Sequence, residues 1–165
     1  MLYTIYADGG ARPNPGKGGC GVIIMQDNKI VEKLCLYLGE GITNNMAEYE
    51  GLILGLSAIQ SYKPEHLQVF MDSKLVIKQV TGEWTVGKLW LKGLHSKALL
   101  LCQKIIGNTG SKIQFNHIPR EYNRQADHLA TLAITEMESF CIDLVSLLSC
   151  SLKSGRNDCG GGQLK

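Results

Sequence analysis

Apolar and polar positions alternate from the first residues of the chain. Tyr3, Ile5 and Ala7 interleave with Thr4 and Tyr6, a period-two pattern rich in aromatic and β-branched types. This pattern predicts a strand that ends on Asp8. Gly9, Gly10, Pro13, Pro15 and Gly16 follow, and they predict a turn, because proline lacks the N–H that a ladder needs. Residues 20–25 predict a second strand, Asp27-Asn28 a tight turn, and residues 29–38 a third strand. The three form an antiparallel meander. A two-residue turn pairs Gln26 with Lys29 and so sets Cys20 opposite Cys35 as packed thiols.

The period then becomes helical. Thr43, Asn44 and Asn45 open a helix that runs to about Tyr62, with Thr or Asn as its cap. Met46, Leu52, Leu56 and Ile59 supply its apolar stripe, and Gly51 and Gly55 share a face that allows close approach to the sheet. Residues 66–71 predict a fourth strand ending at Asp72-Ser73. Leu75, Val76 and Val80 then turn inward from a short helix. Strand, helix and strand in succession imply a parallel crossover. A loop around Gly82, Glu83 and Trp84 leads to a helix at about 88–106, and residues 113–118 predict a fifth strand. A loop at 119–122 precedes a helix capped by Asn123, which carries Ala126, Leu129, Ala130 and Ala133 inward.

Composition narrows the class. The chain has 165 residues, 44% hydrophobic and 19% charged, which suits one globular domain at 1–136. An apolar extension at 137–153 and a Gly-, Asn- and Ser-rich tail at 154–165, expected to be disordered, follow it. The net charge of +2 does not by itself announce a nucleic-acid partner. No apolar run has the length of a membrane span, and no secretory signal is evident, so a cytoplasmic location and reduced cysteines are expected. The six cysteines show no zinc-like CxxC spacing.

Four acids fall at corresponding places. Asp8 and Asp72 end neighbouring strands, and Glu48 and Asp127 sit near the starts of helices entering from the same end. The carboxyl ends of adjacent parallel strands are where sites form. Four carboxylates together repel unless a hard divalent cation joins them. Mg²⁺ takes oxygen ligands and keeps room for water and phosphate oxygens. Two such ions about 3.5–4 Å apart can activate water and stabilise a leaving oxygen in phosphoryl transfer.

At these residues the sequence resembles the type 1 ribonucleases H. The resemblance lies in Tyr6-Ala7-Asp8-Gly9-Gly10, Asn14-Pro15-Gly16, Gly18-Gly19-Cys20-Gly21 and Thr43-Asn44-Asn45-Met46-Ala47-Glu48. It continues in Met71-Asp72-Ser73 and in Asn123-Arg124-Gln125-Ala126-Asp127-His128-Leu129-Ala130. It implies an α/β, ribonuclease H-like fold, a five-stranded mixed sheet of three antiparallel then two parallel strands flanked by helices. It implies a monomeric endoribonuclease that hydrolyses the RNA strand of RNA–DNA hybrids with two Mg²⁺, Mn²⁺ serving as a substitute. By that resemblance Asp8 bridges both ions, Asp127 shares one, and Glu48 and Asp72 share the other.

The same resemblance places Gly9, Asn14, Asn44, Asn45 and Glu48 at the RNA 2′-hydroxyls, where donors and acceptors distinguish RNA. It places Thr43 at a DNA phosphate, and Ser73, Lys74 and Trp84 along the DNA strand. His117 precedes Asp127 by the spacing of a mobile histidine that assists product release, whereas alternation with Ile113 and Phe115 turns it inward as a strand residue. His66, His95 and His128 are expected to be structural or exposed. Residues 81–90 are short and carry one lysine, so the chain resembles a form without the basic protrusion of many members. A non-cleaving hybrid-binding module and a DNA strand-transfer nuclease of the same fold are the alternative readings.

Overall fold

The structure is a computed structural model that describes residues 1–137 and the strand at 140–143. Strands β1 (Leu2–Arg12), β2 (Gly16–Gln26) and β3 (Lys29–Ile42) form the antiparallel meander. Helix α1 (Asn44–Ala58) ends in a 3₁₀ turn, and β4 (His66–Met71) then pairs parallel to β1. Helices α2 (Lys74–Val80) and α3 (Leu89–Thr109) lead to β5 (Lys112–His117), parallel to β4. Helix α4 (Arg124–Glu136) follows a second 3₁₀ turn at Arg120–Tyr122. The sheet order is β5-β4-β1-β2-β3-β6, so five strands are mixed as expected and a short sixth joins them. Among the described residues, no helix is long and apolar enough to cross a membrane.

That sixth strand, β6 (Phe140–Asp143), lies antiparallel to β3 and covers its open edge, where unpaired backbone would otherwise invite another chain. It comes from the apolar extension. The rest of that extension and the tail at 154–165 lie outside the described residues.

Three strand expectations need correction. Strand β1 does not stop at Asp8 but continues through Gly9, Gly10 and Ala11 to Arg12, paired with Cys20 to Lys17. Likewise β2 begins at Gly16 and β3 runs on to Ile42. Gly9, Gly19 and Gly21 sit in this ladder where α1 and α4 press on its two faces and leave no space for side chains. Cys20 does not face Cys35 either. The turn pairs Gln26 with Lys29 as expected, but β3 then carries one extra residue between Ile30 and Glu32. This bulge shifts the register by one, so Cys35 pairs with Gly21. Because strand side chains alternate, Cys20 lies beneath α1 while Cys35 joins the opposite cluster with Ile23, Leu129 and Ala133.

Helix α1 packs on one face over Ile5, Val22, Ile24, Leu67 and Val69, forming the main core with α2 and α3. Helix α4 packs on the other face, where its backbone crowds Gly19 and Gly21. At the crossing of α1 and β1 the backbones nearly touch. A Cβ on Gly9 would lie 2.0 Å from the Ala47 carbonyl oxygen, and one on Gly51 would lie 2.6 Å from that of Asp8.

Gly51→Ala should therefore destabilise the protein by about 1–3 kcal/mol, the usual cost of overpacking, despite alanine's better helix propensity. Gly10→Ala, which meets nothing within 4 Å, should be close to neutral. Chemical denaturation of both variants checks the pair, and equal stabilities would contradict the close crossing.

Candidate active site

Asp8 enters the site from within β1, just past the last residues that pair with β4, Tyr6 and Phe70. Asp72 follows the end of β4 directly. Glu48 comes from α1, whose start is fixed by Thr43: its Oγ1 accepts from the Met46 N–H at 3.3 Å. Asp127 comes from the first turn of α4. The four acids line one open cleft of about 270 Å³ with Gly9, Asn44 and Arg120 among its other walls. The structure thus brings together all four acids singled out in the sequence.

Their contacts are specific. Asp8 is only 7% exposed. Burial first, then the Asp72 charge, pushes its carboxyl up to about 8, with the Gly9 N–H opposing and hydrogen-bonded Asp127 adding to the rise. Burial pushes Glu48 up to about 7; the Ser73 hydroxyl pulls it back and Asp72 raises it further. Ser73 Oγ donates to Glu48 Oε2 at 2.6 Å and also caps α2 by accepting from the Val76 N–H. Arg120 Nη2 donates to Asp127 Oδ1 at 2.7 Å.

Among the described residues, no three Asp, Glu, His or Cys side chains converge tightly enough to hold an ion alone. The arrangement instead suits a cation that keeps water and phosphate ligands. The donors are all carboxylate oxygens, burial and the Asp72 charge push two of them, Asp8 and Glu48, upward, and the cleft beside them is open. Asp8 is hydrogen-bonded to Asp127 and lies close enough to Asp72 to feel its charge.

The remaining sequence candidates divide. Asn44 Oδ1 accepts from the Ala11 N–H at 2.8 Å, and Asn14 Oδ1 accepts from the Asn44 N–H at 3.1 Å. Asn44 also lines the cleft beside Gly9. Asn45 is half-buried, and Lys74 is exposed. Trp84 is exposed on a separate groove with Val80, Lys92 and His95. Ser73 is buried, and its hydroxyl donates to Glu48 and accepts from the Val76 N–H at the α2 cap. Of the two readings of His117, the inward strand residue does not hold: it is exposed at the end of β5. His66 and His128 are exposed, and His95 contacts the Gln79 carbonyl.

Two residues escaped the sequence reading. Asn123 was expected only to cap α4, yet its side chain makes no capping bond. It is 1% exposed, and Nδ2 donates to the Ala7 carbonyl at 2.9 Å and to Asp72 Oδ1 at 2.7 Å. It thereby ties β1, the end of β4 and α4 together at the site. Arg120 lies in what read as a plain loop. Its only sequence signal was a cation seven positions before Asp127.

Two outcomes follow for the metal-free protein. The native state holds protons on Asp8 and Glu48 up to about 8 and about 7, which the unfolded chain releases in the ordinary carboxylate range. Stability should thus be greatest in mild acid and fall as pH rises through that window. Mg²⁺ should stabilise more as pH rises. Asp8→Asn should raise the neutral-pH melting temperature by at least about 2–4 °C, the equivalent of about 1 kcal/mol in a domain this size. Melts from pH 4.5 to 8.5 in chelator and in Mg²⁺ decide this, and a chelator curve rising with pH would contradict it. Asn123→Ala should cost about 2–4 kcal/mol, because a buried carbonyl and a carboxylate both lose a donor. Its stability in urea, together with a weaker Mg²⁺ response, is the readout.

Comparison with known proteins places the chain. A family model described as reverse transcriptase-like matches residues 6–133. A bifunctional protein of Mycobacterium tuberculosis is 35% identical over 136 residues, which is 81% of this chain but 36% of that protein. The chain therefore spans about a third of the length of that relative. A ribonuclease H of Chlorobaculum parvum is 32% identical over 81% of this chain and 95% of its own. Among solved structures, a ribonuclease H1 (LC11) in complex with an RNA/DNA hybrid superposes with a TM-score of 0.73. It shares 36% identity over 82% of this chain and 98% of its own. With the mixed five-stranded core, the four acids on one cleft and these relatives in agreement, the chain belongs to the type 1 ribonuclease H family.

Proposed function

We propose that this protein is a divalent-metal-dependent endoribonuclease that hydrolyses the RNA strand of RNA–DNA hybrids. The observation that carries the reading is the convergence of Asp8, Glu48, Asp72 and Asp127 on one open cleft, two of them strained by burial and mutual repulsion. Asp8 with Asp127, and Asp8 with Glu48 and Asp72, would hold two Mg²⁺ ions, for which Mn²⁺ can substitute. When bound, such ions supply an activated water and charge stabilisation for the leaving oxygen. The chain's own residues do the rest. Ser73 and Asn123 hold Glu48 and Asp72 in orientation. The amide groups of Asn14 and Asn44, with Asn45 and the Gly9 backbone, offer hydrogen bonds to 2′-hydroxyls in a minor groove.

Thr43, Lys74 and Trp84 are assigned to the DNA strand in this reading. Ser73 is reassigned to positioning, and His117 is left without a step. The reading includes a monomer working in the cytoplasm, and the buried thiols Cys20, Cys35 and Cys102 suit a reducing compartment. It also takes residues 1–136 as the catalytic domain, with the apolar extension supporting the β3 edge.

Incubation with labelled hybrid, duplex RNA and duplex DNA, with and without Mg²⁺, tests the proposal. Metal-dependent cleavage of the RNA strand in the hybrid is expected. Asp8→Asn should reduce it to background while hybrid binding persists. Binding without cleavage by the unaltered protein would favour a hybrid-binding module instead, and cutting or joining of DNA would favour a strand-transfer nuclease.

A further inference from the structure

The residue after Glu48 on α1, Tyr49, is wholly buried, yet its hydroxyl is engaged. It donates to Gln79 Oε1 at 2.8 Å. Burial pushes the phenol up to about 12, so it keeps this proton at neutral pH. Gln79, near the end of α2, is itself only 7% exposed. Its Nε2 donates to the Thr85 carbonyl at 3.3 Å. The direction of both bonds is fixed. A carbonyl only accepts, so the amide turns its nitrogen to Thr85 and its oxygen to Tyr49.

A glutamine in this place is costly, because burial removes both its rotamer freedom and its hydration. Its two bonds reach different elements. One ends on α1. The other ends in residues 81–88, which form neither helix nor strand between α2 and α3. Trp84 stands exposed in that segment. The Trp84 N–H donates to the Lys78 carbonyl at 2.9 Å, and the Gln79 amide takes the carbonyl of the next residue, Thr85. These two ties bracket the Trp84 backbone. The Gln79 carbonyl in turn meets the Gly82 N–H and His95 Nε2, each at 3.1 Å. A buried network whose members satisfy one another holds a single geometry. We propose that Gln79 is a positioning residue: oriented by Tyr49, it holds Trp84 in place to meet the nucleic-acid strand. Trp84's contact with that strand rests on the hydrolase reading above; the tie between α1 and the Trp84 segment does not.

The test uses Gln79→Met, which keeps the length and removes both side-chain bonds, and Tyr49→Phe, which removes only the hydroxyl. With hybrid and Mg²⁺, each should raise KM by about two- to tenfold, the range that the net worth of one hydrogen bond allows, and leave kcat unchanged. Trp84→Ala should also raise KM, and adding either variant to it should raise KM no further. A glutamine that only satisfied buried groups would leave KM alone, or would lower activity equally with and without Trp84. Should Gln79→Met fail to fold, Tyr49→Phe decides. Without substrate, Trp84 is read as the sole tryptophan in a Trp90→Phe background, since the chain has two. Acrylamide should quench its fluorescence more steeply in both variants. An unchanged KM, effects that multiply with Trp84→Ala, or unchanged quenching overturns the proposal. The quenching needs no hybrid, so it judges the tie even if the unaltered protein cleaves none, a failure that would count against the hydrolase reading instead.

Discussion

Helix α1 can lie against strand β1 only because neither carries a side chain where they cross. Gly9 and Gly51 leave backbone against backbone, with the Ala47 and Asp8 carbonyls filling the space that Cβ atoms would need, and Gly55 makes room for the Ile5 and Val22 side chains. This crossing sets the site. Glu48 follows Ala47 and Asp8 precedes Gly9, so two carboxylates from distant parts of the chain are brought close by a contact with no side chain in it. Asn44 reinforces the crossing by accepting from the Ala11 N–H, and Asn14 in turn binds the Asn44 N–H. The glycine-rich ends of β1 and β2 thus do more than turn the chain. They are ladder, helix seat and cleft wall at once.

The same economy shows on the opposite face. Gly19 and Gly21 let α4 approach β2 through the Ala126 and Ala130 carbonyls, and that approach carries Asp127 to the cleft. Asn123, at the head of α4, then reaches across to the Ala7 carbonyl and Asp72. An amide suits this position because it offers two donors from one nitrogen, and both acceptors lie within reach of it. Its own Oδ1 is left buried without a hydrogen-bond partner among the described residues. Such an orphaned acceptor costs about 1–3 kcal/mol. The fold tolerates that cost where aspartate would lack the donors and alanine would leave the Ala7 carbonyl and Asp72 unserved.

Most of the element order was legible in the sequence because β1, β4 and the main helices keep clear periods and end on clear signals. Thr43 took the α1 cap that the sequence left to Thr or Asn, and Asp27-Asn28 formed the expected two-residue turn. Other features left no such trace. A bulge at one residue of β3 carries no composition signal, yet it moved Cys35 to the other face. Glycine and proline read as turn-formers, so the continuation of β1 to Arg12 was hidden; tertiary crowding, not local preference, decides it. The four acids were legible as ends of elements. Asn123 looked like an ordinary cap because capping and cross-linking use the same residue type. Arg120 drew no reading and His117 drew two, because spacing along the chain says nothing of which way a loop side chain turns.

Electrostatics explains why the exposed Arg120 matters in a site built from buried acids. Asp8 is nearly enclosed, and burial alone raises its carboxyl strongly before any neighbour is counted. Packing better donors around it would stabilise the protein but would fill the cleft and satisfy the lone pairs that a cation needs. A flexible guanidinium on the outermost acid avoids that conflict. It offsets part of the negative charge through a contact that solvent screens and weakens, so it can be displaced. A buried lysine or arginine in the same role would bind too firmly to release Asp127, because removing either partner of a desolvated pair leaves an uncompensated charge. Arg120 sits on a short exposed turn, outside both β5 and α4, so solvent screens its contact with Asp127.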